Sequence, residues 1–137
     1  MARTKFQVEV LTPEGEVFKD EVEMVSTRTA VGSIGILANH TPILCMLDPA
    51  ELRLYKSDSE VVHFAQAEGY MQMSGTHALI LVEEAVPPGD LDVAELRERL
   101  SEAERAAHGA GEDTEKQRVA QRNKQRLEAF LRIAGSE

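Results

Sequence analysis

The sequence predicts an α+β chain: an N-terminal antiparallel β-sandwich or flattened barrel over residues 1–86, a Pro/Gly linker at 87–90, and a C-terminal two-helix antiparallel hairpin over 91–137. Three observations predict it. Short apolar runs separated by turn clusters fill the first segment without a helical period. Pro87-Pro88-Gly89 then interrupts strand and helix alike, because proline has no amide hydrogen and a fixed φ. Beyond it, apolar residues recur at steps of three and four, the period of an amphipathic helix.

Phe6, Val8 and Val10 alternate with Gln7 and Glu9, the period-2 pattern of a half-buried strand, and Thr12-Pro13-Glu14-Gly15 makes a turn. Further strand runs follow at Val17-Phe18, Val22 to Val25, Leu52 to Tyr55, Val61 to Ala67, Tyr70 to Met73 and Ala78 to Val82. Lys56-Ser57-Asp58-Ser59 and Ser74-Gly75-Thr76-His77 supply turns between them. After the linker, Asp92 with Glu95 has the form of a capping box, and Val93, Leu96, Leu100, Ala103 and Ala107 make one apolar stripe. Gly109 and Gly111 end it, each costing about 1 kcal/mol relative to Ala inside a helix. Thr114 with Gln117 predicts a second capping box. The stripe behind it is Ala120, Leu127, Leu131 and Ala134, with Phe130 beside it. Both helices are near the length at which an isolated helix is marginal, so each needs an apolar surface. They can pair with each other or separate, and residues 91–134 strung out as helix reach about 66 Å. Two packings of one sequence are the physical form of a switch.

Composition excludes several functions. With 42% hydrophobic residues among 137 and aromatics at 4%, the core is aliphatic and no aromatic stacking platform exists. A net charge of -9 repels phosphate backbones, so nucleic acid is not an expected partner. Residues 109–137 differ, with six basic against five acidic groups, and suit either an acidic partner surface or a solvated face. Cys45, the single cysteine, sits in an apolar run and reads as a small hydrophobe. The N-terminus lacks an apolar signal core and no run of 18 apolar residues occurs, so neither export nor membrane insertion is expected.

Chemical motifs are absent. No glycine precedes Lys and then Ser or Thr, so there is no phosphate-cradling P-loop. His40, His63, His77 and His108 lack metal-ligand spacing, no Gly-x-Ser-x-Gly elbow occurs, and Glu83-Glu84 at a strand end would point to opposite faces. No catalytic residue, metal or cofactor is expected. The distinctive segment is Gly32-Ser33-Ile34-Gly35-Ile36-Leu37-Ala38-Asn39-His40-Thr41-Pro42-Ile43-Leu44, which reads as a tight loop. Its glycines permit turn angles, and its isoleucines must be buried against the core or a partner.

That segment resembles the hallmark of the epsilon subunit of F-type ATP synthases, a Gly-x-x-Gly-Ile run leading to His-x-Pro-hydrophobic-Leu. Val10 to Phe18 is similar to that family's first hairpin, Phe64 to Tyr70 to its Phe-Ala-x-x-Gly-Gly/aromatic turn, and Ala78 to Glu84 to its last strand. The resemblance spans essentially the whole chain, in register.

The resemblance implies a non-catalytic subunit of the central rotor stalk on the cytoplasmic face of a bacterial membrane, seated between the gamma subunit and the c ring. Ser33, Ile34, Gly35, His40, Thr41 and Pro42 become the expected contacts with gamma and the ring, and Ser33 departs from the acidic residue many members carry. The helix pair is implied to brake ATP hydrolysis by extending toward the catalytic alpha and beta subunits, with Arg118, Arg122, Lys124, Arg126 and Arg132 meeting an acidic stretch. Some members bind ATP through Ile/Leu-Asp-x-x-Arg-Ala. Here Leu91 and Asp92 match, while Glu95 and Leu96 replace Arg and Ala, so weak or no ATP binding is expected, with Asp92 the remaining candidate. A free-standing β-sandwich binding module with a helical dimerisation hairpin is the alternative reading.

Overall fold

In the computed structural model, which describes residues 3–135, alternation along Phe6–Thr12 (β1) buries Phe6, Val8 and Val10 and leaves Gln7 and Glu9 half-buried. β1 turns at Thr12–Gly15 into Gly15–Val22 (β2), where the Glu14 amide donates to Thr12 Oγ1 over 3.2 Å. Gly15 takes a φ of 127°, a conformation side chains other than hydrogen disfavour. The remaining strands are β3 (Met24–Thr29), β4 (Gly32–Leu37), β5 (Ile43–Leu47), β6 (Ala50–Tyr55), β7 (Val61–Gln66), β8 (Gly69–Ser74), β9 (His77–Val82) and β10 (Ala85–Val86).

They follow the order β10-β7-β6-β3-β5-β8-β9-β1-β2, with β4 pairing β3, as a nearly closed sandwich. Every pairing is antiparallel except β1 with β9, which is parallel. In this exception β1 lies between its own hairpin partner β2 and β9, a strand about seventy residues further along the chain. Inward residues of both layers meet in one aliphatic core around Leu52, Leu54, Met71, Met73 and Ile80, all at 0% exposure.

Two sequence expectations change here. The Val22 to Val25 run divides at Glu23, whose amide donates to the Tyr55 carbonyl over 2.7 Å, so the chain passes from β2 to β3 there. The expected loop at Gly32 to Leu44 is a hairpin strand followed by a turn and β5. Ile34 and Ile36 alternate inward, with Ile36 at 0% exposure, because period-2 burial satisfies both the isoleucines and the backbone that a loop would leave unpaired. Only Gly32 of the two bracketing glycines makes the turn, at φ 138°.

The chain divides into two compact units, Met1–Pro87 and Pro88–Glu137. In the second, a single 3-10 turn at Pro88–Asp90 precedes α1 (Val93–Gly109) and α2 (Thr114–Gly135). Asp92 caps α1 as its sequence predicts, its Oδ1 accepting the Glu95 amide over 3.1 Å. α2 starts differently: Asp113 is the cap, accepting the Lys116 amide on Oδ1, also over 3.1 Å, and Thr114 lies inside the helix. Both residues can cap, and the aspartate one position earlier adds a full negative charge at the helix N-terminus. Gln117 instead turns its side-chain amide onto the Gly111 carbonyl.

The two helices pack antiparallel. Leu96 and Ala103 of α1 are buried, as are Ala120, Leu127, Ala129, Phe130 and Ile133 of α2. Leu131 and Ala134 are only half-buried, so the buried face of α2 lies toward Ala129 and Ile133 rather than along the expected line. No helix among the described residues is long and apolar enough to cross a membrane.

Candidate functional site

The outer side of β5, β8, β9 and β1 carries a feature that core formation does not explain. Period-2 alternation turns Met71 and Met73 of β8 inward and leaves Tyr70 and Gln72 outside. On β5 the outward residues are Leu44 and Met46, and on β9 they are Leu79 and Leu81. The register joins them laterally, since Met46 pairs with Tyr70, Tyr70 with Leu81, and Leu81 with Leu11. An apolar row therefore crosses four strands, and Leu44, Met46, Tyr70 and Leu81 keep 71%, 59%, 52% and 44% of their surface in water. Neighbouring apolar side chains exposed in a row mark an interaction surface, whereas single exposed residues do not.

Gly69 sets the position of this row. A Cβ there would lie 2.0 Å from the Leu81 carbonyl oxygen and 2.8 Å from Val82 Cα, so only glycine lets β8 approach β9 this closely. Beside Tyr70 and Leu81 a shallow groove of about 320 Å³ runs along Leu11, Pro13, Glu68 and Glu83.

The sequence-selected segment lies on strands and turns of the same unit. Ser33 and Gly35 are exposed on β4, whereas Ile34 is half-buried against the core. Val31, at the tip of the β3–β4 hairpin, is 98% exposed, and Thr29 Oγ1 shapes that tip by donating to the Gly32 carbonyl over 2.9 Å and accepting the Val31 amide. After β4, Asn39 adopts φ 62° and its amide donates to the Gly75 carbonyl, tying the turn to the β8–β9 hairpin. His40 Nδ1–H donates to the Thr41 carbonyl over 2.6 Å, and exposed Thr41 and Pro42 lead into β5 and its exposed Leu44. The segment thus presents Val31, Ser33 and Gly35 at one edge and delivers Pro42 to the start of the apolar row.

Sequence reasoning missed that row. Its signal was Ile43-Leu44-Cys45-Met46-Leu47 and Leu79-Ile80-Leu81-Val82, apolar at consecutive positions where a strand with one wet face would alternate. Continuous apolar strands are the mark of a sheet covered on both faces.

On α2, Arg118, Arg122 and Arg126 are spaced four apart and share a stripe, while Lys124 falls on another face. Arg118 already holds Glu115, Nη2 to Oε1 at 2.6 Å, and this ion pair keeps the Glu115 carboxyl below its ordinary range. Lys124 and Arg126 are half-buried, and Arg132 is exposed. Asp92 is engaged as the α1 cap. Among the described residues, no group of three or more His, Cys, Asp or Glu is placed to hold a metal ion.

These features define a class: a β-sandwich with an uncovered apolar row, followed by a helical hairpin with a basic stripe. The ATP synthase delta/epsilon chain beta-sandwich domain family matches residues 5–88. The ATP synthase epsilon chain of Persephonella marina is 37% identical over 95% of this chain and 96% of its own, and that of Sulfurihydrogenibium sp. is 31% identical over 96% and 98%. The chain belongs to the ATP synthase delta/epsilon family, among the epsilon chains. The same fold occurs in a chain of the Euglena gracilis mitochondrial ATP synthase cryo-EM structure (OSCP/F1/c-ring), with a TM-score of 0.75 at 20% identity, covering 97% of this chain and 82% of that one. A chain of the Tetrahymena thermophila mitochondrial ATP synthase central stalk/c-ring structure gives 0.62 at 15%, covering 98% and 99%.

Proposed function

We propose that this chain is a non-catalytic subunit of the central rotor stalk of a bacterial F-type ATP synthase, coupling the gamma subunit to the c ring at the cytoplasmic face of the membrane. The observation that carries this reading is the apolar row of Met46, Tyr70 and Leu81, which needs a partner's surface to leave water. Gamma is the partner assigned to it. The β3–β4 tip with Val31 and Ser33 is assigned to the polar loops of the c ring, and His40 with Pro42 to the border between the two. Ser33 brings a hydroxyl and no charge to the ring, so this contact is insensitive to salt compared with an ionic one.

The hairpin supplies regulation. Packed, α1 and α2 bury each other's apolar stripes; extended toward the catalytic subunits, α2 presents its arginines to an acidic surface and hydrolysis is braked. Arg118 holds Glu115 three residues away on the same helix, so the pair survives extension and Arg118 exchanges Glu115 for the acidic surface only on contact with it.

The experiment compares ATP hydrolysis by the remaining subunits of this enzyme, purified without the chain, after adding either the full chain or a truncation ending at Gly89. Folding of the truncation is checked by circular dichroism and binding of both by co-elution. The reading expects both to bind and only the full chain to suppress hydrolysis. Failure of either to bind would contradict the stalk assignment, and equal hydrolysis with both would remove the brake.

A further inference from the structure

The pairing order of the sandwich ends at β10 and β2, and β4 hangs off it, paired only with β3. A free strand edge offers amides and carbonyls to any extended chain, and folded proteins guard such edges with charges, bulges or brevity. β2 carries Glu16, Lys19, Asp20 and Glu21 and lies against a register shift in β1, and β10 is two residues long. β4 has none of these guards. Its six residues, Gly32 to Leu37, are uncharged, contain no proline and pair with β3 in unbroken register.

The hydrogen bonds of β3 fix which backbone groups of β4 are left over. The Ala30 amide donates to the Met46 carbonyl over 3.2 Å and the Asp48 amide to the Arg28 carbonyl over 3.1 Å, so Arg28 and Ala30 turn their backbone groups toward β5. Val25, Thr27 and Thr29 therefore turn theirs toward β4, where they meet Ile36, Ile34 and Gly32. The amides and carbonyls of Ser33 and Gly35, and the amide of Leu37, point away from the sheet, and no backbone partner meets them among the described residues. The Leu37 carbonyl accepts the His40 amide over 3.3 Å and ends the row. Ser33, Gly35 and Leu37 are all exposed, while Ile36 faces the core.

We infer that this edge pairs with the same edge of a second copy of this chain, β4 against β4, antiparallel about a two-fold axis at Gly35. The spacing of the outward groups selects that occupant. With Gly35 opposite Gly35, Ser33 stands opposite Leu37 of the second copy, so every outward residue meets another outward residue and the contact closes on itself. No like charges meet at the join, and half-buried Ile34 comes to lie beside Ile36 of the second copy. The join is small, which makes the dimer weak and dependent on concentration. Pairing covers Ser33 and Gly35, so on the assignment of Ser33 to the c ring the dimer is a state of the unassembled chain; the pairing itself does not depend on that assignment.

The test follows the mass of the isolated full chain by sedimentation equilibrium at concentrations up to about 1 mM. Gly35→Pro removes the central outward amide without touching a bond to β3, and Gly35→Ala keeps that amide, its Cβ meeting only Met24 Sδ at 3.9 Å. The parent is expected to dimerise, Gly35→Ala to match it, and Gly35→Pro, shown by thermal unfolding to be folded, to dimerise about tenfold more weakly through loss of two hydrogen bonds per dimer. Ser33→Lys/Leu37→Lys sets like charges opposite each other twice and is expected to weaken the dimer by about tenfold, whereas Ser33→Lys/Leu37→Glu sets opposite charges there and is expected to restore it. These two variants decide the matter if Gly35→Pro does not fold. A parent that stays monomeric, a folded Gly35→Pro that dimerises like the parent, or two charge variants that behave alike would each overturn the inference. Loss of the dimer in Tyr70→Ser/Leu81→Ser with retention in Gly35→Pro would show that copies meet through the apolar row, and would overturn it as well.

Discussion

Replacing Gly69 by alanine tests how closely the strands that build the apolar row must approach. The new Cβ would stand 2.0 Å from the Leu81 oxygen and 2.9 Å from the Leu81 carbonyl carbon, both backbone atoms of a paired strand. No side-chain rotation relieves such a contact, so β8 and β9 must separate along the Gly69–Val82 and Tyr70–Leu81 pairs. Overpacking a well-packed site costs about 1–3 kcal/mol, and a clash confined to backbone belongs at the upper end, about 3 kcal/mol. For a domain of this size each kcal/mol lowers Tm by about 4–8 °C, so Gly69→Ala should lower it by about 12–24 °C. Gly89, whose added Cβ meets nothing within 4 Å, is the control, with an expected change of about 0.5 kcal/mol or less for Gly89→Ala. Thermal unfolding followed by circular dichroism reads both. A drop below about 2 °C for Gly69→Ala would refute the reasoning, because it would mean the strands part without cost.

Three further outcomes follow from individual residues. Asp92→Ala removes the acceptor for the Glu95 amide and should destabilise the helical unit by about 1 kcal/mol, read as an earlier loss of helical signal, with Asp92→Asn retaining most of the stability. Leu127→Ala, at a buried position of α2, should cost about 2–4 kcal/mol and expose the hairpin to proteolysis before the sandwich; equal protease resistance would show that Leu127 does not hold the packed state. Glu51 accepts from Arg53 at 2.6 Å and from His63 at 2.9 Å. Burial pushes its carboxyl up, but these two partners outweigh burial and hold it below the ordinary value. A depressed folded-state pKa adds stability above the unfolded value that is lost as pH falls through the folded one, so Glu51→Gln should flatten the acid limb of the stability curve and leave a modest loss near neutrality.

The sequence carried the alternation of β1, the linker break and the Asp92 cap because each depends on neighbours a few residues away. The strand at Gly32 to Leu37 was hidden by its glycines, which read as loop residues until β3 supplies the pairing partner that makes Gly35 a strand position opposite Ser26. The parallel meeting of β1 and β9 joins residues about seventy positions apart, and no local pattern reports it. Of the candidate contacts, Ser33 and Pro42 are exposed as an interface requires, while Ile34 turns half-inward. The apolar row was written in the consecutive hydrophobics of β5 and β9, yet consecutive hydrophobics also describe a strand buried inside its own domain. Only the burial of Ile80 and Met71 beside the exposure of Leu81 and Tyr70 separates the two cases.

If the sandwich docks through the Met46, Tyr70 and Leu81 row, removing that row must weaken assembly of the chain with the other ATP synthase subunits. Wild-type chain and Met46→Ser/Tyr70→Ser/Leu81→Ser, first shown to unfold at similar temperatures, are titrated against the remaining subunits of the ATP synthase and the bound fraction is read by co-elution. Losing three exposed apolar anchors at about 1–2 kcal/mol each predicts an affinity weaker by about 100-fold or more. A variant that co-elutes at the wild-type concentration would show that the row is not the docking face.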